Sequence, residues 1–328
     1  MRAWRVKELG SPKEALFLEE IEDPSPQPGE VVVEVEAAAL NFFDILLCKG
    51  EYQERPELPF TPGAEVAGTV FATGEETTLE EGARFLATPP LPRGGFAERV
   101  SVPESAVYPI PDSMGFEEAA ALHIVYQTAF FALHRRARLA EGETVLVHAG
   151  AGGVGSAAIQ FARAAGARVI STAGSEEKVE VCQKLGAEIA IDYRRENFVE
   201  VVKEATDGRG ADVIFDPVGG DVFDGSRRCV AFEGRIVVIG FAGGRIPEAP
   251  ANHLLVKNYS VVGLHWGLYG KKMPHLIRET HEELVRLYEA GEIKSLIHES
   301  VPFEELPDAL ERLGGRKTYG KLVTLPRG

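Results

Sequence analysis

Gly150, Gly152 and Gly155 stand at the spacing that cradles a pyrophosphate. Thr144-Val145-Leu146-Val147-His148-Ala149 leads into Gly150-Ala151-Gly152-Gly153-Val154-Gly155, a G-x-G-x-x-G set between an apolar strand pattern and a helical one. The first glycine permits the tight turn, Gly152 lets the backbone approach a diphosphate, and Gly155 lets helix and strand pack closely. The helix start, at Gly152, Gly153 and Val154, offers free N–H groups and a partial positive charge to an anion. A turn chosen only for packing does not need all the glycines at this spacing. The chemistry implied is dinucleotide binding.

The end of the next strand decides which dinucleotide fits. NAD sites usually carry Asp or Glu about 20 residues on, accepting from the ribose hydroxyls. That count reaches Ser175, within Thr172-Ala173-Gly174-Ser175-Glu176-Glu177-Lys178, and no acid ends the strand. Ser175, Lys178 and, further on, Tyr193 suit a 2′-phosphate instead. Ser175 also reads as a helix N-cap, with Glu176 and Glu177 favouring the first turn. Capping and phosphate binding are compatible. Lys178 taken alone is equally a solvated helix lysine. The missing acid is the stronger half of the argument, and it selects NADP(H).

These turns need a sheet beneath them. Beyond residue 115, strand and helix patterns alternate. An apolar helix is expected over 116–138. Strands follow at 144–148, 168–172, 189–192, 213–216, 235–240 and 260–262, with helices at 154–165, 176–185 and 198–205. Alternating β and α units with apolar strands predict a parallel, doubly wound α/β sheet. The first stretch is different. Val31–Ala37 is a strand opened by the turn at Pro28-Gly29, and proline and glycine punctuation recurs at 56–63, 88–95 and 109–112. Short strands broken this way suggest a partly open β-barrel. The tail returns to that style, with a helix at 279–290 and a last strand at Lys321–Leu325. The simplest plan is one domain built from both chain ends, 1–123 and 264–328, with a nucleotide-binding domain, 124–263, inserted.

The composition agrees. The 328 residues are 45% hydrophobic and 26% charged, with a formal net charge of −15. The length suggests two domains, and an acidic chain is a poor partner for nucleic acid or an anionic membrane. Cys48, Cys182 and Cys229 are too few and too scattered for a disulfide framework or a thiolate zinc site. The N-terminus has no apolar stretch behind its charges, and the most apolar segment, 119–133, is too short to span a bilayer. A cytoplasmic location is the default expectation.

Several segments carry a resemblance. They are Asn41-Phe42-Phe43-Asp44, Pro62-Gly63-Ala64-Glu65-Val66-Ala67-Gly68, Gly94-Gly95-Phe96-Ala97-Glu98, Gly150 to Gln160, Leu185-Gly186-Ala187, Asp216-Pro217-Val218-Gly219-Gly220 and Gly320-Lys321-Leu322-Val323. In this order, over nearly the whole chain, the sequence resembles the medium-chain dehydrogenase/reductase superfamily in its quinone oxidoreductase, zeta-crystallin-like branch. The resemblance implies a GroES-like barrel domain around a Rossmann domain. It also implies a homodimer, with an interface near Tyr259–Val262, where an apolar edge strand would need covering.

Zinc alcohol dehydrogenases of that superfamily place Cys where this chain has Asn41 and His where it has Ala64, and their third ligand position falls at Ile124. Residues 69–115 contain no cysteine. A catalytic zinc needs about three N, S or O ligands, and these positions supply none, so no metal is expected. His123, alone on an apolar helix, reads as a core residue. Without a metal to lower it, an alcohol keeps a pKa near that of water, about 15.7. Reducing an electrophile needs only hydride, stabilisation of an oxyanion and a proton from water.

The resemblance carries further residues over. Asn41, Asp44 and Tyr52 are the expected catalytic group. Asn41 offers amide donors, or is only a turn residue. Asp44 stands beside the cofactor, or is the N-cap of a helix over 45–49. Tyr52 donates to a carbonyl, or packs as a surface aromatic. Thr128, Phe241, Ala242, His265 and Arg316 are implied in cofactor binding. His265 stands where an aromatic residue would be expected. The leading expectation is an NADPH-dependent quinone reductase acting on a small-molecule quinone. The alternative on the same scaffold reduces the C=C bond of an enone or enoyl thioester. A binding-protein reading exists, because some relatives are lens proteins or bind RNA. The negative charge opposes RNA binding, and the intact cofactor positions oppose a purely structural role.

Overall fold

A computed structural model describes residues 1–327. The chain divides into two compact units: Met1–Ile124 with the C-terminal stretch from Lys294 onward, and Val125–Ile293.

The first unit is built on strands. β1 (Arg2–Val6) and β2 (Leu16–Glu20) form a hairpin around the short helix α1 (Pro12–Ala15). β3 (Glu30–Ala39) follows, then helix α2 (Phe42–Lys49) and strands β4 (Val66–Thr73), β5 (Arg84–Ala87), β6 (Arg99–Pro103) and β7 (Val107–Pro109). β3 is the organising strand. It pairs with β4 along one edge and with β6 on the other. Register shifts at Val32/Val33 and Val35/Ala37 bend it, as bulges do in barrels. That bend lets Val31, Val32, Val33 and Val35 all be buried.

Helices α3 (Phe116–Ala120) and α4 (His123–Phe130), then a π-helical turn over Phe131–Arg136, replace the single helix expected over 116–138. The apolar pattern is continuous, but the backbone is not. The N–H of Leu122 bonds back to Ala119, which breaks the α ladder between the two helices.

The second unit alternates as expected. β8 (Thr144–Val147), α5 (Gly153–Ala164), β9 (Arg168–Ala173), α6 (Glu176–Leu185), β10 (Ile189–Asp192), α7 (Phe198–Ala205), β11 (Ala211–Asp216), α8 (Gly220–Cys229), β12 (Val230–Val238), α9 (Ala251–Lys257) and β13 (Ser260–Gly263) succeed one another. All six strands are parallel, in the order β10-β9-β8-β11-β12-β13. This is the doubly wound dinucleotide-binding order, whose switch point lies between β8 and β11. Leu146, Ile170, Ile191, Ile214 and Ile236 from successive strands join one buried cluster with Val199, Val202 and Phe223 from the helices. Each such side chain contributes roughly 1.5–3 kcal/mol by leaving water.

The chain does not leave this unit at 264. α10 (Trp266–Lys272) and α11 (Pro274–Glu289) still belong to it. Buried Gln127 explains why. Its Nε2 donates to the carbonyl of Ile277 at 2.8 Å, and its Oε1 accepts from the Trp266 indole at 3.2 Å. Ile277, His281 and Leu284 bury the inner face of α11. α11 thus starts at Pro274, five residues before the sequence suggests.

β14 (Ile297–Pro302), α12 (Leu306–Gly314) and β15 (Lys321–Leu325) return to the first unit. β15 pairs with β14 and β3, completing a seven-stranded sheet. Leu306, Ala309 and Leu310 of α12 join its core. Cys48, Cys182 and Cys229 are free and buried.

Candidate active site

In the second unit, the glycine turn is shaped by close approach. A Cβ on Gly155 would fall onto the carbonyl of Ala149, and one on Gly150 onto the Ser171 hydroxyl. Gly152 is the N-cap residue of α5, so Gly153 and Val154 open the helix. Their N–H groups are among the first-turn donors that no helical carbonyl can reach. The residue before the turn is held from two sides. His148 Nδ1 lies 3.0 Å from Thr172 Oγ1, and Nε2 lies 2.9 Å from Ser226 Oγ. Ser226 gives its own proton to Val222 O. His148 therefore donates from Nε2 and accepts at Nδ1. Complete burial lowers its pKa to about 3, so the ring is neutral. It fastens the end of β8 to β9 and α8.

At the second turn, Ser175 caps α6 by accepting from Lys178 N at 3.3 Å. Tyr193 is 46% exposed. Its N–H bonds to Ala173 O, and its hydroxyl lies where a Cβ on Gly174 would be. Tyr193 and the Ser175 cap therefore flank Gly174, Lys178 stands in the first turn of α6, and no carboxylate ends the strand. After β12, Ala242 N donates to Pro217 O and Gly243 N to Val218 O, and Arg245 pairs with Asp221 and Asp224. Phe241 is exposed on this loop, beside the Asp216–Gly220 turn. Thr128 is buried, and His265 is exposed at the start of α10. These groups fit an anionic dinucleotide, with free N–H donors at the helix start and hydroxyls at the second turn.

In the first unit, Asn41 is the N-cap residue of α2, and Asp44 sits three residues into the turn. Asp44 is not the N-cap, as the sequence suggests, because the helix starts at Phe42 rather than Ile45. Its carboxylate accepts from Asn41 N at 2.8 Å and from Gly63 N at 3.2 Å. Gly63 holds φ +99, and a Cβ there would strike Phe96, so this backbone donor depends on glycine. Burial pushes the Asp44 pKa up to about 7, against these two bonds and the nearby Lys321 charge.

The Asn41 side chain is not free for a substrate. Its Oδ1 accepts from Lys321 Nζ at 2.6 Å. Its Nδ2 donates to Glu65 Oε1 at 2.9 Å and more weakly to Ala39 O at 3.4 Å. Both amide protons are spent inside the protein, which removes the donor role expected from the sequence. Lys321 also pairs with Glu65 at 2.7 Å, and both side chains are at least 95% buried. The other Glu65 oxygen accepts from Ile124 N at 2.9 Å. Tyr52 is half-buried and stacks on Phe43, with ring centroids 5.4 Å apart. Arg316, also in this unit, is exposed with φ +57.

Asn41, Ala64 and Ile124 stand at the ligand positions of the zinc enzymes. Two of them are tied to Glu65 rather than open, and a lysine ammonium already stands against the carboxylate. Among the described residues, no group of three or more His, Cys, Asp or Glu side chains is arranged to hold a metal ion. The donor set does not fit zinc. His123 is buried and its ring tilts against Tyr108.

Known proteins share this fold. Residues 27–112 match the family profile described as "Alcohol dehydrogenase GroES-like domain", and residues 153–286 the one described as "Zinc-binding dehydrogenase". The "Quinone oxidoreductase-like protein 2 homolog" of Nematostella vectensis is 42% identical over 325 residues, covering 98% of this chain and 88% of that protein. The chain belongs to the quinone oxidoreductase family of medium-chain dehydrogenases/reductases. Two solved family members are close in shape. A quinone oxidoreductase of Pseudomonas syringae superposes with a TM-score of 0.91 at 34% identity, each chain covered to 99%. The Escherichia coli quinone oxidoreductase, solved in complex with NADPH, gives 0.91 at 30% identity, covering 99% of this chain and all of that one. The family is that of an oxidoreductase.

Sequence reasoning missed Glu65, Lys321 and His148 as site-shaping groups. Glu65 and Lys321 lie inside segments that carry the family resemblance. The available signal was a charge at the head of an apolar strand, Lys321-Leu322-Val323-Thr324-Leu325, where a buried lysine demands an acid.

Proposed function

We propose that this protein is an NADPH-dependent reductase that passes hydride to a quinone without a metal. The observation that carries the reading is the buried Asn41–Glu65–Lys321 cluster. It engages the Asn41 side chain, at one of the positions that a zinc enzyme would use to ionise an alcohol, and the other two positions hold Ala64 and Ile124, which have no ligating side chain. A chain without that device is suited to reducing electrophiles rather than oxidising alcohols.

NADPH, when bound, supplies the hydride. The N–H groups of Gly153 and Val154 would hold its pyrophosphate, with Gly152, whose own N–H bonds to Ala149 O, giving the backbone room to approach it. Ser175, Lys178 and Tyr193 would hold the 2′-phosphate, and Thr128, Phe241, Ala242 and His265 of the same unit would line the rest; Arg316 keeps the cofactor role that the family resemblance implies. The absence of an acid beside Ser175 supports NADPH over NADH, and the NADPH bound to the E. coli family member supports it too. Tyr52 replaces Asn41 as the donor to the substrate oxygen. Its phenol has a pKa raised by burial, so it carries its proton. Phe43, stacked against it, offers a flat apolar surface to a planar ring.

A homodimer formed at β13 and a cytoplasmic location belong to the same reading. β13 is the unpaired edge of its sheet, and the adjacent Leu255 and Val256 are 77% and 74% exposed. The free buried thiols suit a reducing compartment. No helix of the described residues is long and apolar enough to cross a membrane.

The test is NADPH oxidation against quinones, enones and enoyl thioesters. Quinones should turn over fastest. Faster turnover of crotonyl or acryloyl thioesters than of every quinone would establish the C=C reductase instead.

A further inference from the structure

The buried ion pair has a use beyond its own stability. Lys321 leads β15, Glu65 precedes β4, and Asn41 ends the chain segment after β3, so three separate strands converge on one ammonium. Burying a lysine and a glutamate is costly unless both are well bonded. Here Lys321 spans Asn41 Oδ1 and Glu65 Oε1, and Glu65 takes two further N–H donors, from Asn41 and Ile124. The Asn41 amide is thereby fixed in one orientation, Oδ1 toward the ammonium and Nδ2 toward the carboxylate.

The next links are equally direct. Asn41 N is held by Asp44, which also holds Gly63 N. Together these bonds set the first turn of α2. The second residue of that helix is Phe43, and its ring carries the stacked Tyr52. A rigid path of named contacts therefore runs from Lys321 to Tyr52.

We propose that Lys321, through Glu65 and Asn41, is a positioning residue that fixes the α2 turn and with it the Tyr52 phenol. The proposal rests on the reductase reading, in which Tyr52 donates to the substrate. Small displacements of a donor cost rate steeply, so the pair matters for turnover and not only for folding.

The experiment compares wild type with Lys321→Met/Glu65→Gln, which removes both charges together and leaves neither buried alone. Five quantities are read: the thermal unfolding midpoint, NADPH binding by fluorescence quenching, kcat and KM with a small benzoquinone, and amide hydrogen exchange over residues 40–52 without cofactor. The expected result is a folded protein that binds NADPH within about twofold of wild type. Its kcat falls about tenfold with a smaller change in KM, and exchange over 40–52 is faster. Phe43→Leu keeps the ion pair but cuts the stack, and should reproduce the kcat loss. It keeps the test open should the double variant fold poorly. A double variant that matches wild type in kcat and exchange would overturn the proposal, as would full activity in Phe43→Leu. No quinone reduction by the wild type would overturn the reductase reading, while unchanged exchange would overturn the positioning itself.

Discussion

The main-chain N–H of Asn41 donates to the Asp44 carboxylate across 2.8 Å, from the first residue of a helical turn to its fourth. That carboxyl has no exposure to solvent, and its pKa rises from an ordinary 3.8 to about 7. Protonated Asp44 therefore favours the folded state. The contribution is complete below about pH 4 and is lost as pH rises through 7. Wild type should lose about 1 kcal/mol between pH 6 and 8 relative to Asp44→Asn, whose stability lacks this slope. Denaturant midpoints at the two pH values measure it. Parallel slopes for the two proteins would refute the assignment.

His148 predicts the opposite limb. Its folded pKa of about 3 lies below the ordinary 6.5. The unfolded chain takes up a proton that the folded chain refuses. The stability tied to this ring is complete above about pH 6.5 and lost as pH falls toward 3, at about 1.4 kcal/mol per pH unit. His148→Asn should flatten that acid slope. It should also weaken NADPH binding, since the ring anchors the start of the phosphate turn. Equal acid slopes in variant and wild type would sink the prediction.

Cofactor choice tests the second turn. Removing a charge-assisted contact costs roughly 1.5–3 kcal/mol. Lys178→Ala should therefore raise the apparent NADPH constant about tenfold or more while sparing NADH. Tyr193→Phe should act in the same direction by less. A loss shared equally by both cofactors would count against a 2′-phosphate at this turn.

The β13 edge predicts self-association. Light scattering should give twice the 35.6 kDa of one chain. Leu255→Glu with Val256→Lys should shift the mass toward a single chain while leaving the far-UV spectrum unchanged. A wild-type protein that stays monomeric at high concentration would remove the dimer.

Periodicity and glycine spacing made the second unit legible, because its strands are short, apolar and bounded by turns. Helices α6 and α7 and strands β10 and β15 fall at the expected residues. The glycine turn and the capping role of Ser175 were readable for the same reason, since both are local. The break between α3 and α4 was not, because the apolar pattern runs straight through it while the backbone changes its hydrogen bonding. Nor was the allegiance of 264–293, decided by a single buried glutamine 150 residues from its partner Ile277. The Asn41 amide was misjudged for a similar reason. Its partners, Glu65 and Lys321, are 24 and 280 residues away, and pairing at that range leaves no periodic trace.

The three cysteines acquire a meaning beside the proposed substrate. Quinones and enones are alkylating agents, and the species they attack is the thiolate. Burial pushes Cys48 and Cys229 up to about 12 and Cys182 to about 11. At neutral pH almost none of their sulfur is ionised, and all three are shielded from solvent. The fold thus withholds its thiols from the class of electrophile that the proposed reaction would bring to it.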